Sequence, residues 1–469
     1  MDRVEVRRGR YFDSVRLMQA SAAVEAVSGV ERALVAMGTD LNRSLLAGLG
    51  FATPDLGPDD LVLAVRGADE AALTAALTAA DAALASSHAA PGTFLDAPAP
   101  RRVGAAAEAT FALISVPGEH AFVEAMEALQ SGMSVMVFSD NVPLAQEVAL
   151  KQEAARRGLL VMGPGAGTAI VLGIGLGFAN AVRPGRVGIV GASGTGIQGL
   201  CCLLDDAGVG VRHALGTGSR DLSDEVGGAS TLAALQALAA DPDVEVIAVV
   251  SKPPGPEAAE RVRQAAAACG KPAAVAFMGE HTLEEAAAEV LRLLGRPVLQ
   301  AYTDWAIVEG PHRPGRLLGL FSGGTLRDEA RTVAGAALGE ISTEATAADH
   351  TMLDLGDEEH TRGRPHPMID HRTRLDFLAR AAADASVGVL LLDVVLGYGA
   401  HPDPASALAA AVADVVAAGA AAVVSLCGTA GDPQDRESQA KAFAAVGASV
   451  LLSNAAAARH AARLAGGRP

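Results

Sequence analysis

The feature that most constrains this chain is an alternation, along nearly its whole length, of apolar runs of strand length with longer segments of helical periodicity. Strands that alternate with helices form βαβ units, and these build parallel sheets. The pattern therefore predicts an α/β protein with mainly parallel sheets. Because the chain has 469 residues and one domain usually takes about 150, we expect about three domains, or four small ones.

Composition and charge narrow the classes of function. Gly is frequent, at 52 residues, and aromatic residues make up only 3% of the chain. Small side chains favour tight packing of helices on sheets, and so few aromatic rings disfavour a surface on which bases stack. The net charge of −17 disfavours a nucleic acid or an anionic membrane as partner, although it leaves room for a local anion site.

The N-terminal segment and the cysteines bear on location. MDRVEVRRGRYFDSV lacks the apolar region of a signal peptide, and no stretch of about 18 residues is apolar throughout. We therefore expect a cytoplasmic protein without a membrane span. The four cysteines have no CxxC spacing, so we expect buried thiols and neither a disulfide framework nor a zinc site. They are Cys201, Cys202, Cys269 and Cys427.

The first two blocks of the chain read as separate α/β domains. Residues 1–97 predict a small N-terminal α/β domain, and the Pro- and Ala-rich segment Ala89–Arg102 predicts a linker. In residues 104–183, each of three strands is followed by a polar or Gly/Pro loop, and Asn141 lies in one of these loops. Loops at the carboxyl ends of parallel strands are where such sheets bind ligands. No G-x-G-x-x-G follows the first strand, so we expect neither a nicotinamide nor a flavin cofactor.

Residues 184–296 and 315–469 follow one plan twice. RVGIVGASGTGIQGL and RLLGLFSGGTLRDEA each give a strand, a Gly-rich turn and a helix, and VEVIAVVSKPPGP corresponds to VGVLLLDVVLGYGAHPDP. The residue-by-residue similarity is weak, but the recurring order of strand, turn and loop predicts two related domains.

The two Gly-rich turns are the main candidates for a ligand site. They comprise Ser193, Gly194, Thr195 and Gly196, and Ser322, Gly323, Gly324 and Thr325. Each turn opens a helix, where unpaired N–H groups and the helix dipole favour an anion, so a phosphate cradle is predicted. We expect glycine there for close backbone approach and for positive φ. The alternative is ordinary N-capping of a short βα turn. Neither turn is a P-loop.

The polar loop from Asp354 to Arg374 supplies further candidates. Pro365 and Pro367 stiffen His366, and Arg364 offers bidentate contacts, so both Arg364 and His366 are candidate catalytic residues for a phosphate or carboxylate ligand. A solvated polar loop is the alternative. The histidines in this segment fit no helical H-x-x-x-H pair, so no metal site is predicted.

Three other residues need individual treatment. Lys252, at a strand end, either meets an anion or is solvated. Asp393 lies inside the apolar run LLLDVVLGYG, where an unpaired carboxylate is costly, so a functional or paired role is expected and we count it among the catalytic candidates. His281 stands before Thr282 and Glu285, which form a T-x-x-E capping box that explains the segment without catalysis.

Several of these segments resemble the FdrA family, which is related to the α and β subunits of succinyl-CoA synthetase. The segments are VMGPGAGTAI, PGRVGIVGASGTG, GTGSRDLSDEVGG, VVSKPPGP, FSDN, FSGGT and GRPHPMID. The resemblance implies a Rossmann-like CoA-binding-type domain at 104–183, followed by two flavodoxin-like domains. The domain at 184–296 is similar to the ligase domain of the α subunit, and the domain at 315–469 is similar to that of the β subunit. In the synthetases, helices that open at such turns hold the phosphate of a phosphohistidine.

The chain departs from the synthetases in three ways. No G-H-A-G loop follows Met278, no ATP-grasp domain is present, and the Gly-rich loop that grips CoA is absent. Members of the FdrA family are implicated in a multisubunit oxamate carbamoyltransferase of purine-ureide (allantoin) degradation. The resemblance thus implies a phosphate, acyl phosphate or carbamoyl phosphate ligand, a small anionic substrate and partner subunits, with weak or no CoA binding. A succinate–CoA ligase (ADP-forming) subunit and a non-catalytic scaffold are the alternatives.

Overall fold

The computed structural model describes residues 1–10, 12, 14–57, 60–85, 103–105, 108–310, 312–345, 349–361 and 364–466. The predicted linker at Ala89–Arg102 lies outside the described residues. The chain divides into two compact units. The first contains Met1–Arg101 and Thr361–Asp370, and the second contains Arg102–His360 and His371–Pro469.

The first unit contains an antiparallel sheet. Its elements are β1 (Asp2–Arg7), α1 (Ser14–Glu25), β2 (Val30–Met37), α2 (Asp40–Gly48), β3 (Leu61–Gly67) and α3 (Glu70–Ala85). The strand order is β1-β3-β2, and β3 runs antiparallel to both neighbours. The expectation of parallel pairing is wrong for this sheet, because β3 inserts between the two strands of the β1–α1–β2 unit and splits it.

The second unit begins with a parallel three-stranded sheet. After a 3-10 turn at Val103–Ala105 come β4 (Phe111–Ile114), α4 (Gly118–Gln130), β5 (Ser134–Val137), α5 (Leu144–Arg157) and β6 (Val161–Met162). The order is β4-β5-β6, with parallel pairing throughout. This βαβαβ arrangement is the Rossmann-like one that the family resemblance implies.

A six-stranded sheet follows. Its elements are β7 (Thr168–Val171), β8 (Ile174–Gly177), β9 (Pro184–Ala192), α6 (Gly194–Asp206), β10 (Val211–Gly216), α7 (Ala229–Ala240), β11 (Val246–Ser251), α8 (Pro256–Ala268), β12 (Ala273–Phe277) and α9 (Leu283–Leu293). The order is β12-β11-β9-β10-β7-β8, and the strands from β9 to β12 are parallel. The hairpin of β7 and β8, which the sequence does not predict, adds antiparallel to β10.

The last sheet repeats this plan. Its elements are β13 (Asp304–Ala306), β14 (Arg316–Phe321), α10 (Gly324–Leu338), β15 (Thr351–Asp354), α11 (Glu358–Thr361), α12 (Arg372–Ala383), β16 (Val387–Val395), α13 (Pro404–Ala417), β17 (Ala421–Cys427), α14 (Arg436–Ala445), β18 (Ala448–Leu451) and α15 (Asn454–Leu464). The order is β13-β18-β17-β16-β14-β15, and only the pairing of β13 with β18 is antiparallel.

Both six-stranded sheets therefore have flavodoxin-like order. Numbered within its own copy, each runs 2-1-3-4, and the last continues to 5. In this order the ligand crevice opens at the carboxyl ends of the first and third strands. The turn after β9 and the turn after β14 both stand at such a crevice, with Lys252 just after β11. The α/β fold class is thus confirmed, whereas the predicted bounds at 97, 183/184 and 296/315 stay predictions.

Among the helices of the described residues, none combines the length and the apolar character needed to cross a membrane.

Candidate anion site

The two Gly-rich turns touch each other. Ser193 Oγ and Thr325 Oγ1 share a hydrogen bond. A Cβ atom placed on Gly323 would overlap the side chain of Thr195, so the backbone of one turn packs directly against the side chain of the other. The N-termini of α6 and α10 therefore meet at one place, as a shared site requires. That these residues hold a ligand there stays a prediction.

The two helix starts are capped differently. Ser193 Oγ accepts a hydrogen bond from Gly196 N at 2.9 Å, which is an ordinary N-cap for α6. The N-cap residue of α10 is Gly323, and no side chain caps that helix. The first N–H groups of α10 consequently have neither an intrahelical partner nor a capping side chain. Plain capping thus accounts for the turn at α6 but not for the turn at α10.

Asp393 holds the second turn in place. Its carboxylate accepts hydrogen bonds from Ser322 N at 2.9 Å and from Ser322 Oγ at 3.0 Å. Arg374 Nη2 donates to Asp393 Oδ1 at 3.0 Å and also to the Asp393 carbonyl. Burial raises the pKa of Asp393, and the buried Arg374 guanidinium and the Ser322 bonds oppose that rise. The structure thus shows the paired role, and a catalytic role for Asp393 stays a prediction.

Lys252 provides a positive charge beside the start of α10. A Cβ atom on Gly324 would lie 2.5 Å from Lys252 Nζ. The side chain is half-buried, and in the described part of the chain it makes no hydrogen bond and no ion pair. An ammonium group that is held near uncapped N–H groups, with no hydrogen bond or ion pair from the described residues, is well suited to an anionic ligand.

Asp354 is a further candidate for this site, and the sequence places it only at the start of the polar loop that ends at Arg374. It ends β15 and is only 8% exposed. Asp354 Oδ2 would lie 2.5 Å from a Cβ atom on Gly324, and Oδ1 accepts a hydrogen bond from Gly356 N at 3.0 Å. Burial raises the pKa of Asp354 to about 6, against the opposing influence of Lys252. Its place at a strand end was the available signal.

The glycines of the turns are needed for space. The expectation of positive φ is wrong, because Gly194, Gly323 and Gly324 are absent from the glycines with positive φ, and Gly323 has φ −147°. Around Gly323 and Gly324 a Cβ atom would instead overlap side chains of the site, whereas at Gly194 it would approach Thr168 Oγ1 at 3.1 Å. The close approach of the two turns therefore accounts for glycine at position 323, and the charged side chains of Lys252 and Asp354 account for glycine at position 324.

The remaining predicted site residues are Asn141, Arg364 and His366. Asn141 is exposed, follows β5 with φ 60°, and has no hydrogen bond to either turn among the described residues. Arg364 is exposed and His366 is half-buried, and both belong to the first unit. His366 Nδ1 accepts a hydrogen bond from Met368 N at 3.2 Å. The roles of these three residues stay predictions.

The segment with His281 is a helix entry. Thr282 accepts from Glu285 N, and the Glu285 side chain accepts from Thr282 N, so the predicted capping box is confirmed. The His281 side chain itself is exposed and makes no hydrogen bond within the described residues.

Comparison with known proteins identifies the family. Residues 1–97 match a family model described as "AllF, heavy metal-associated domain", 182–279 match "CoA binding domain", and 320–464 match "CoA-ligase". The "Uncharacterized protein YahF" of Escherichia coli K12 is 38% identical over 445 residues, which cover 86% of this chain and 85% of that protein. The chain belongs to the FdrA-like family of succinyl-CoA-synthetase-like proteins.

More distant relatives match this FdrA-like chain in part. The succinate–CoA ligase [ADP-forming] subunit alpha of Methanothermobacter thermautotrophicus is 27% identical over 143 residues, 30% of the chain and 47% of that subunit. A solved dinucleotide-forming acetyl-coenzyme A synthetase of Candidatus Korarchaeum cryptofilum, in complex with phosphate and ADP, is 14% identical with a TM-score of 0.32, covering 76% of the chain and 83% of that structure. The CoA-binding match at 182–279 falls on the predicted α-subunit-like ligase domain and not on 104–183, where a CoA-binding-type domain is expected.

A heavy-metal site does not fit the first block of this FdrA-like chain. Residues 1–97 contain no cysteine, so the thiolates that soft metals prefer are missing. Among the described residues, no group of three or more His, Cys, Asp or Glu side chains is placed to hold a metal ion. No metal is therefore assigned to the N-terminal block.

Proposed function

We propose that this FdrA-like chain binds phosphate, or an acyl or carbamoyl phosphate, between Thr195 and Thr325, and that it serves group transfer within a larger assembly. The observation that carries the proposal is the direct contact of the two turns through Ser193 and Thr325. Two helix N-termini that meet at the crevices of two flavodoxin-like sheets form one site for one anion.

Electrostatics supports an anionic ligand. Each helix start contributes about half a positive charge, and the effect is confined to the first turn. Lys252 adds a full charge beside Gly324, and the buried surroundings weaken the screening by solvent. Asp354 offsets part of this potential. The balance favours a small oxyanion that reaches the uncapped N–H groups of α10.

The reaction we favour is oxamate carbamoyl transfer in purine-ureide degradation. A phosphate oxygen attacks the carbamoyl carbon of oxalurate, the bond from that carbon to the oxamate nitrogen breaks, and the nitrogen takes up a proton. The products are carbamoyl phosphate and oxamate. This chemistry needs neither a phosphohistidine nor CoA, which suits a chain without the G-H-A-G loop and with His281 in a helix entry. Partner subunits would complete the enzyme.

A succinate–CoA-type ligase subunit is the second candidate. The observations that favour it are the matches to CoA-binding and CoA-ligase families and the similarity to a succinate–CoA ligase subunit. CoA would supply a thiol that accepts the acyl group, and partner chains would supply the ATP chemistry. A non-catalytic scaffold is less consistent with the uncapped start of α10 and with Lys252, which makes no hydrogen bond or ion pair with the residues that the structure describes.

The test is an assay of the chain purified together with the proteins that associate with it in its own cells. Oxalurate and inorganic phosphate are supplied, and oxamate release is measured with and without phosphate. A parallel reaction contains succinyl-CoA, ADP and phosphate. Phosphate-dependent oxamate release supports the favoured reaction, and succinate formation only in the parallel reaction would replace it with the ligase.

Two glycine variants show whether the site described above is responsible. Gly324→Val fills the space beside Lys252 and Asp354, whereas Gly335→Val changes the same helix at a position where a Cβ atom meets nothing within 4 Å. Activity should be lost in the first variant and kept in the second. Equal activity of the two variants would show that the paired turns take no part in the reaction.

A further inference from the structure

Lys252 and Asp354 are oppositely charged side chains that both lie beside Gly324. A Cβ atom on Gly324 would lie 2.5 Å from Lys252 Nζ and 2.5 Å from Asp354 Oδ2. Although both charged groups stand beside Gly324, no ion pair joins them, and Oδ2 accepts no hydrogen bond from the residues that the structure describes. A carboxylate that is only 8% exposed thus has one oxygen, Oδ2, that has no donor among the described residues and stands at the start of an uncapped helix.

A carboxylate in an anion site affects which anions can bind. An ionised carboxylate only accepts hydrogen bonds, so it repels an oxyanion that has no hydrogen to offer. Inorganic phosphate near neutral pH carries at least one proton and can donate it in a hydrogen bond, whereas sulfate carries none. The hydroxyls of Ser193 and Thr325 both donate and accept, so they do not distinguish the two anions.

We propose that Asp354 makes the site selective for an oxyanion that bears a proton, so that inorganic phosphate binds and sulfate is rejected. In this arrangement Lys252 and the first N–H groups of α10 bind the ionised oxygens, and Asp354 Oδ2 accepts the hydrogen bond from the remaining P–OH group. The inference rests on the proposed anion site and identifies its ligand as a protonated phosphate. The selectivity comes from a repulsive contact with the wrong anion.

The charges around Asp354 set the pH range of this selectivity. Lys252 after β11 and Arg327 on α10 lower the pKa of Asp354, and Asp357 in the loop after β15 raises it, but burial has the largest influence and leaves the pKa at about 6. Asp354 is therefore ionised near pH 7 and protonated below about 6. As the pH falls through this value, the repulsion disappears and sulfate becomes acceptable, although sulfate itself does not titrate in this range.

The experiment is calorimetric titration of the full chain with inorganic phosphate and, separately, with inorganic sulfate near pH 7. Wild type should bind phosphate and reject sulfate. In Asp354→Asn the ratio of the two dissociation constants should shrink by roughly tenfold to a hundredfold, as expected for one hydrogen bond to a charged group. Asp357→Asn, at an exposed neighbour, is the matched control and should keep the wild-type ratio.

A second measurement does not depend on the behaviour of the variant. Sulfate affinity of the wild-type chain is followed from about pH 8 to pH 5, and it should rise as Asp354 becomes protonated near 6. Equal affinity of wild type for phosphate and sulfate near pH 7, or a sulfate affinity that does not change with pH, would overturn the inference while leaving the anion site intact. Failure of wild type to bind either anion would overturn both this inference and the proposed function.

Discussion

Filling the space at Gly324 should abolish phosphate binding. In Gly324→Val the new Cβ atom would stand 2.5 Å from both Lys252 Nζ and Asp354 Oδ2, whereas non-bonded heavy atoms prefer about 3.5–4 Å. Each group must therefore retreat by about 1 Å, and the valine methyl groups cover the first N–H groups of α10. Because one hydrogen bond to a charged group contributes about 1.5–3 kcal/mol, the loss of even one weakens binding by about tenfold to a hundredfold.

Calorimetry with inorganic phosphate measures this loss, and thermal unfolding measures the cost to the fold. Overpacking of this kind destabilises by about 1–3 kcal/mol. The matched control is Gly335→Val, on the same helix with open space around its Cβ position. Valine is slightly better than glycine inside a helix, so the control should fold and bind as wild type does. A folded Gly324→Val chain with wild-type phosphate affinity would refute the placement of the ligand at this helix start.

Four further predictions concern the chain around the site. Asp393→Asn leaves Arg374 without its buried counter-charge and should lower the free energy of unfolding by about 3–5 kcal/mol in urea titrations; a loss below about 1 kcal/mol would contradict the pairing. Glu329 accepts hydrogen bonds from Leu283 N and Asn454 Nδ2, and burial raises its pKa from 4.5 to about 7. Its contribution to the free energy of unfolding is therefore complete below about pH 4.5 and is lost as the pH rises to 7. Glu329→Gln should flatten this part of the plot of unfolding free energy against pH. CoA should bind weakly or not at all in calorimetry, and low-micromolar binding would restore the ligase. Incubation with ATP and any competent partner should leave no acid-labile phosphate on this chain, and stoichiometric phosphate on His281 or His366 in mass spectra would exclude the favoured transfer reaction.

The repeated strand–turn–helix order is sufficient to predict two related domains, because each buried strand and each Gly-rich turn is a local signal. That both are flavodoxin-like is implied only by the resemblance to the FdrA family. The hairpin of β7 and β8 escaped prediction for an equally local reason. Its two-residue turn consists of Leu172 and Gly173, with φ 51° and φ 80°. Turns with positive φ at both central positions usually contain Asn-Gly or Asp-Gly. Because leucine occupies the first central position here, the sequence does not indicate such a turn.

The charged part of the site depends on contacts that no local pattern contains. Asp354, Lys252 and Gly324 come from three different elements, and only the folded chain places the first two beside the third. The sequence indicates that Asp393 needs a partner, because it lies in an apolar strand. It does not indicate that the partners are Ser322 and Arg374, since the bonds join positions 71 and 19 residues away.

The hydrogen bond between Ser193 and Thr325 spans 132 residues of one continuous chain. Since both halves of the anion site are covalently joined, their encounter is governed by an effective concentration, typically in the millimolar range for short flexible connections. Assembly of the site therefore does not depend on how much protein a cell contains. Cutting the connection between α9 and β14 would turn the same contact into a bimolecular equilibrium. Dilution would then separate the turn at the start of α6 from the turn at the start of α10.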